Sequence, residues 1–247
     1  MSGHSHWATI KHKKLAQDAK KGKIFSKYAR QLMVLAREGG DNPTFNVSLG
    51  KAIKEAKQAG MPMDKIELAV KKGAGKLEGQ IIESRNYEGK GPGGVMMIIE
   101  TITDNSNRTA GEVRKLLERN NGDMVNPGAA MNLFERKGYI YIPAGGVDEN
   151  QLMDAAIEAG ADNCERAGDL WEITTSVEAF NKVLEVLEPR FKIQSSETPL
   201  VPKYENYVEL SEQEGRKLMN LLETLEDHDD IQKIHHNGKL PASLVAA

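Results

Sequence analysis

The spacing of apolar residues changes near residue 79, and this change constrains the fold of the 247-residue chain more than any other feature. Before it, apolar residues recur at helical spacing in runs at about 23–38, 46–59 and 62–72, and each run ends at glycine. After it, apolar runs of strand length alternate with helical runs. The sequence therefore predicts a small bundle of helices followed by mixed α/β structure.

The clearest succession of elements lies between residues 139 and 195. It comprises the strand YIYI, a helix at about 149–159, strands around Cys164 and at LWEITT, a helix at about 177–187 ended by Pro189, and the strand FKIQS. This βαββαβ order is that of a ferredoxin-like domain.

The segments on either side of this domain are incomplete by themselves. They offer the strand GVMMIIETIT, a helix behind a Thr109-x-x-Glu112 capping box, a strand around Tyr207, a helix behind Ser211-x-x-Glu214 and a strand near 231–234. Neither segment has enough strands to cover its helix, so we expect the two to form one domain together.

These patterns predict an α+β fold. An N-terminal three-helix bundle is followed by two ferredoxin-like α/β domains, one inserted in the other. The predicted boundaries are 1–79 for the basic helical domain, 80–136 plus 204–247 for the discontinuous domain, and 137–203 for the inserted domain.

Charge is distributed unevenly along the chain. Residues 1–76 contain 16 Lys and Arg against 6 Asp and Glu, a net charge of +10, whereas residues 77–247 contain 17 against 30, a net charge of −13; together they give −3. A basic head on an acidic body indicates that the head contacts a polyanion while the body repels one.

The basic head supplies most of the candidate nucleic-acid-binding residues. Its lysines form a nearly unbroken run of one sign, which gains little from pairing within the chain, although such runs also occur as solvated helix faces. Trp7 can stack on bases, and Arg108 lies beside a predicted helix start, where Asn107 or Thr109 could equally serve as a cap. The candidates are Trp7, Lys11, His12, Lys13, Lys14, Lys20, Lys21, Lys23, Lys27, Arg30, Arg108 and Arg114.

Two other motifs suggest chemistry but fit it poorly. Residues 89–94, GKGPGG, match the dinucleotide-binding fingerprint, yet a strand follows where that fingerprint requires a helix, so a tight hairpin turn is predicted. Residues 226–237, EDHDDIQKIHHN, could ligate a metal, but no second cluster matches them, and a solvated acidic turn is the simpler interpretation.

No catalytic residue, metal site, cofactor or small-molecule substrate is predicted. No Ser/His/Asp or Cys/His arrangement stands out, and the only cysteine is Cys164, so there is no disulfide framework. No apolar stretch has the length of a membrane span. We expect a cytoplasmic protein that does not bind membranes.

Four stretches of the chain together resemble the YebC family. They are GHSHWATIKHKKLAQDAKKGKIFSKYAR, AKQAGMPMDKIELAVKKGAG, GKGPGGVMMIIETITDNSNRTAGEVR and MNLFERKG. The resemblance runs nearly end to end and implies a helical domain followed by two α/β domains. One stretch departs from the family, which usually has a Gly-Ser-Val type sequence before its Met-Phe, where this chain has PGAAMNLF.

The resemblance implies a role in gene expression. Mitochondrial members are known as translational activators of a cytochrome oxidase subunit, and bacterial members are named probable DNA-binding transcriptional regulators. We predict a non-enzymatic factor that binds ribosomal RNA on the ribosome, because no helix-turn-helix or zinc finger can be placed. A DNA-binding transcriptional regulator is the alternative, and a protein-interaction adaptor that uses the acidic domains is a third class.

Overall fold

The structure of the protein is a computed structural model that describes residues 19–77 and 82–245. In chain order its elements are α1 (Ala19–Gly39), α2 (Val47–Gln58), α3 (Met63–Gly73), β1 (Glu83–Lys90), β2 (Met96–Thr103), α4 (Ser106–Arg119), β3 (Asp123–Met124), β4 (Phe134–Arg136), β5 (Gly138–Pro143), α5 (Glu149–Ala159), β6 (Asn163–Ala167), β7 (Leu170–Thr175), α6 (Val177–Leu187), β8 (Ser195–Glu197), β9 (Leu200–Pro202), β10 (Val208–Glu209), α7 (Glu212–Glu226), β11 (Ile231–His236), β12 (Gly238–Lys239) and α8 (Ala242–Val245). The predicted α+β fold is confirmed.

Two compact units make up the described residues. The inserted unit comprises residues 131–207, and the split unit comprises the described residues before 131 together with those from 208 onward. None of the helices in the described part of the chain is long and apolar enough to cross a bilayer.

The first three helices of the split unit pack around a small apolar core. Asn46 caps α2 by accepting a hydrogen bond from the amide of Leu49, and Pro62 lies at the N-cap of α3, where its fixed φ suits a helix start. The predicted stripe Ile66, Ala69 and Val70 is buried. The buried residues of this core are Leu32, Ala36, Leu49, Ala52, Ala56, Met61, Ile66, Ala69 and Val70.

The remainder of the split unit is a four-stranded antiparallel sheet covered by two helices. Its strand order is β11-β2-β1-β3, so a strand from the C-terminal segment pairs with a strand from the N-terminal one. Helices α4 and α7 share one core with β2, in which Val113, Leu117 and Leu218 are fully buried. The predicted Ser211–Glu214 capping box is present at the start of α7.

The glycine-rich stretch at residues 89–94 forms a hairpin turn, as predicted. Lys90 pairs with Met96 at the end of the β1–β2 ladder, and Gly93 and Gly94 have φ of 69° and 80° between them. Such left-handed conformations favour glycine, because a Cβ atom would clash with the following carbonyl.

The inserted unit has the ferredoxin-like arrangement. Its antiparallel sheet has the order β6-β7-β5-β8, and α5 and α6 pack on one face against Ile140, Trp171 and Ile173. A short β4–β9 ladder lies outside the βαββαβ succession, which extends the unit beyond residues 137–203 on both sides.

Two strand predictions are corrected by the structure. The strand expected at FKIQS begins only at Ser195, because the amide of Phe191 still donates to the carbonyl of Leu187 at the end of α6, 2.9 Å away. The strand expected around Tyr207 is the two-residue β10, which pairs in parallel with β12 instead of joining the four-stranded sheet.

The domain boundaries remain predictions, and separated fragments would test them. We expect residues 131–207 to fold alone, because they contain every strand of their four-stranded sheet and of the β4–β9 ladder. Residues 80–130 should not fold without 208–247, which supply β11 and α7. Amide hydrogen exchange on each fragment is the measurement. Cooperative protection in isolated 80–130 would contradict the discontinuous domain.

Candidate nucleic-acid interface

The predicted nucleic-acid-binding residues fall into three groups in the structure. Five of them lie outside the described residues: Trp7, Lys11, His12, Lys13 and Lys14. Lys20 and Lys21 lie in the first turn of α1. The structure describes the side chains of the remaining five, which are Lys23, Lys27, Arg30, Arg108 and Arg114.

Three of these cations lie on one side of α1 and contact the turn at residues 226–230. Lys23 Nζ lies 3.6 Å from Asp227 Oδ1, and Lys27 Nζ donates to the carbonyl oxygen of Glu226 over 2.9 Å. Arg30 donates to the carbonyl oxygen of Asp229. Spacings of four and three residues place the three side chains on neighbouring turns of the helix. All three can therefore contact the acidic turn at the same time.

This contact covers part of the basic surface that the sequence predicts for a polyanion. Burial lowers the pKa of Lys27, while the nearby negative charges of Glu226, Asp229 and Asp227 oppose that shift. Lys23 keeps 48% of its side-chain surface exposed. Lys23, Lys27 and Arg30 are therefore engaged by the acidic turn, although Lys23 remains half exposed.

Asp230 is the centre of the contact. Its side chain is 3% exposed; one carboxylate oxygen accepts from the Thr109 hydroxyl at 2.7 Å and from Arg108 at 3.0 Å, and the other lies 3.3 Å from Arg30. Burial by itself would raise the pKa of Asp230, but the hydrogen bonds from Thr109, Arg108 and Thr103 and the charge of Arg30 outweigh it and lower the pKa.

The local environment of Arg108 differs from the one predicted. Its guanidinium contacts the carboxylates of Asp104 at 2.8 Å, Asp230 at 3.0 Å and Glu112 at 3.8 Å, and 44% of its side chain is exposed. The hydrogen bonds with Asp230 and then Asp104 raise its pKa. The Arg108 guanidinium, which was predicted to bind a phosphate, is thus already paired with three carboxylates of the protein.

The predicted cap of this helix is wrong. Asn105 caps α4 by accepting from the amide of Arg108, so neither Asn107 nor a Thr109–Glu112 capping box starts the helix. Thr109 is instead fully buried, and its hydroxyl bridges Thr103 and Asp230. Instead of capping α4, Thr109 and Glu112 of this Thr-x-x-Glu pattern contact Asp230 and His228 in the turn before β11.

The prediction of a solvated acidic turn at residues 226–237 holds for Glu226, Asp227 and Asp229, which are exposed, but it is wrong for Asp230 and for the end of the segment. Asp230, His235 and Asn237 are 2–3% exposed. The side-chain oxygen of Asn237 accepts from the amide of Met96 at 2.7 Å, and His235 lies 3.4 Å from Glu100. The part of the segment from Asp230 onward therefore lies at the edge of the hydrophobic core.

Glu112, His228 and Asp230 bring three possible metal-ligand atoms within 4.8 Å of one another. His228 Nδ1 accepts from the amide of Asp230 at 3.1 Å, which leaves Nε2 as the protonated atom that donates to Glu112 at 2.9 Å. Both ring nitrogens are thus used, and two arginines already neutralise Asp230. The arrangement functions as a hydrogen-bonded network between α4 and the turn.

Arg114 does not lie with Arg108. The two residues are six positions apart on α4, which separates them by about two thirds of a full rotation around the helix. Arg114 is exposed, as are the lysines of α2 and α3. The remaining accessible cations are therefore spread over several surfaces of the split unit.

The single cysteine offers no nucleophile at neutral pH. Cys164 is buried in the inserted unit, and burial raises the pKa of its thiol to about 11. A thiolate is the reactive form, so this residue behaves as a core side chain.

Comparison with known proteins assigns the chain to a family. Residues 5–76 match the family model described as the TACO1/YebC protein N-terminal domain, and residues 82–238 match that described as the TACO1/YebC second and third domain. The chain belongs to the TACO1/YebC family. The resemblance predicted from the four sequence stretches is confirmed.

Relatives match the whole chain. A protein of Dictyoglomus thermophilum is 44% identical over 99% of this chain and 98% of its own length, and a protein of Kosmotoga olearia is 46% identical over 100% and 98%; both are named probable transcriptional regulatory protein. A conserved hypothetical protein of Aquifex aeolicus has a crystal structure with a TM-score of 0.83, 43% identity, and coverage of 96% of this chain and 98% of that one. The names of the Dictyoglomus and Kosmotoga proteins support a regulatory role.

The stretch PGAAMNLF, which departs from the YebC pattern, is held through its backbone. The amides of Gly128 and Ala130 each donate to one carboxylate oxygen of the buried Glu88, at 2.6 Å in both cases. This bidentate contact needs no hydroxyl side chain, so the lack of serine leaves the local fold intact.

Proposed function

We propose that this TACO1/YebC protein is a non-enzymatic, nucleic-acid-binding regulator that acts in the cytoplasm by binding ribosomal RNA on the ribosome and assisting translation. The observation that carries this proposal is the chemistry of the helical region. Residues 19–77 contain 13 Lys and Arg against 5 Asp and Glu, and 11 of the 13 are lysines.

The two arginines of this region are both engaged within the protein. Arg30 donates to Asp229 and pairs with Asp230, and Arg37 donates to the carbonyl of Ile82. Arginine and lysine both contact guanine in a DNA major groove, but the planar guanidinium of arginine is better suited to bidentate pairing, whereas lysine acts as a point charge and commonly binds phosphate. A surface of lysines therefore favours recognition of a phosphate backbone and of RNA shape over reading of an operator sequence.

The names of the relatives favour a second function, DNA-binding transcriptional regulation. The two functions separate in one experiment, in which a lysate containing the tagged protein is fractionated into ribosomes and chromosomal DNA at matched salt. The translation proposal expects the protein to sediment with ribosomes and to be released by high salt. Retention on DNA, with ribosomes free of the protein, would favour the transcriptional function.

Lysines of the basic head should contribute directly to polyanion binding. Changing Lys13, Lys14 and Lys21 together to Gln should weaken binding to ribosomal RNA, because each phosphate contact releases counterions. The slope of log affinity against log salt should flatten by about two to three units if all three contacts are made. Titrations at several salt concentrations measure it. An unchanged slope and affinity would mean that these lysines are only solvated.

A further inference from the structure

An aromatic ring protrudes from the loop between α1 and α2. Phe45 is 84% exposed and Val47, two residues later, is 79% exposed, whereas Phe134 and Phe180 are buried. Isolated apolar residues are common on protein surfaces, but these two lie two positions apart in a helical region whose net charge is positive. Phe45 and Val47 are therefore two exposed apolar side chains at the start of α2, and the first basic residues that follow them in the chain are Lys51 and Lys54.

The loop holds the ring outward by specific hydrogen bonds. The carbonyl of Asn42 accepts from the amides of Phe45 at 3.1 Å and Asn46 at 2.9 Å, and its side chain accepts from Thr44 at 3.0 Å. The buried Asn46 donates to the carbonyls of Leu35 and Gly40, both at 2.8 Å, and accepts from Leu49. These hydrogen bonds fix the backbone of the loop that carries Phe45, so less conformational entropy is lost when the loop binds a ligand.

Two lysines continue the exposed surface along α2. Val47, Lys51 and Lys54 are separated by four and three residues, so they lie in one row on the helix, opposite the buried Leu49, Ala52 and Ala56. All three are exposed. The row places an apolar group at the loop end and positive charges farther along the same surface.

We propose that Phe45, Val47, Lys51 and Lys54 form a binding surface for single-stranded RNA, in which a base stacks on Phe45 and the backbone phosphates follow the lysines. This inference rests on the proposed RNA-binding function and adds its location and the form of RNA. Aromatic rings beside a positively charged track are the general chemistry of single-strand binding.

A protein partner fits this surface less well. The centres of protein–protein interfaces are depleted in lysine, whereas this surface combines only two apolar side chains with a lysine row. Duplex nucleic acid also fits less well, because its bases are stacked on one another and only unpaired bases can lie on an aromatic ring. A loop or single strand of RNA provides both a free base and phosphates.

The test measures binding of the full-length protein to a fluorescein-labelled single-stranded RNA and to an RNA hairpin stem. Phe45→Ala should weaken single-strand binding about 5- to 150-fold and leave its salt slope unchanged, because stacking is lost while phosphate contacts remain. Changing Lys51 and Lys54 to Gln should flatten the slope by about 1.4 units. Phe45→Trp should retain binding, because its ring also stacks on bases.

Tyr204→Ala is the matched control, since this aromatic residue of the inserted unit is 88% exposed; it should bind as the wild type does. Unchanged single-strand affinity in Phe45→Ala, with normal binding by the wild type, would overturn the inference and leave the proposed function intact. Wild-type protein that binds no RNA would overturn the proposed function. Loss of ribosome association in Phe45→Ala without loss of RNA affinity would identify a protein-docking surface and refute RNA stacking.

Discussion

Asp230→Ala should lower the free energy of unfolding of the split unit by about 1.5–3 kcal/mol, the contribution of hydrogen bonds to a charged group. The side chain is 3% exposed and is the common acceptor for Arg30, Arg108 and Thr109. Its loss leaves Thr109 buried without this acceptor and removes the link between α1, α4 and the turn before β11. Urea denaturation, with amide exchange of residues 231–236, measures the effect.

Two further variants separate the causes. Asp230→Asn keeps the volume and removes the charge, so its loss of stability should be smaller than that of Asp230→Ala. Asp229→Ala is the control, because the Asp229 side chain is exposed and only its backbone carbonyl accepts from Arg30; its change should stay within about 0.5 kcal/mol. Equal losses in Asp229→Ala and Asp230→Ala would contradict the network.

The charge of Asp230 also gives this stabilisation a defined pH dependence. The folded-state pKa of Asp230 lies below its ordinary value of 3.8. A lowered folded-state pKa means that the stabilisation is complete above about pH 3.8 and is lost as the pH falls through the folded-state value. The stability difference between the wild type and Asp230→Asn should therefore shrink in acid.

Local patterns in the sequence predicted the elements of the inserted unit well. The helices at 149–159 and 177–187 and the strand LWEITT have the predicted limits, because apolar periodicity, the cap Ser176 and Pro189 all act within a few residues of each element. The Ser211–Glu214 capping box was predictable for the same reason.

The candidate site was less predictable because its contacts join distant parts of the chain. Lys27 meets Glu226 across 199 residues, and Thr109 meets Asp230 across 121. A local pattern cannot distinguish a solvated acidic turn from one that is neutralised by a distant helix. Phe45 was not predicted because a single aromatic residue in a polar loop belongs to no repeating pattern of apolar residues. Its position just before the N-cap Asn46 was the only available signal.

A buried carboxyl group in the inserted unit has an environment that opposes its ionisation. Glu172 is 5% exposed, lies directly across from Glu165 on β6 and from Tyr141 on β5, and its Oε2 has no hydrogen-bond partner among the described residues. Burial and then the charge of Glu165 raise the pKa of Glu172 from 4.5 to about 7, against the opposing hydrogen bond from Tyr141. The folded unit therefore binds a proton that the unfolded chain releases.

A raised folded-state pKa means that the stability of the inserted unit is complete below about pH 4.5 and falls as the pH rises through about 7. The loss should be on the order of 3 kcal/mol, since each pKa unit corresponds to about 1.4 kcal/mol. Glu172→Gln should remove this dependence, so it should match the wild type near pH 4.5 and be more stable at pH 8.

The fluorescence of Trp171, which is adjacent and buried, reports unfolding of this unit once Trp7 is changed to Phe. Denaturation of this single-tryptophan protein and of its Glu172→Gln variant should be compared at pH 5 and pH 8. Glu185→Gln, on the exposed side of α6, is the matched control and should follow the parent protein at both pH values, because its carboxylate is solvated in the folded and unfolded states. A stabilisation by Glu172→Gln of the same size at both pH values would contradict a titrating buried carboxyl, since only a group with different folded and unfolded pKa values couples proton binding to folding.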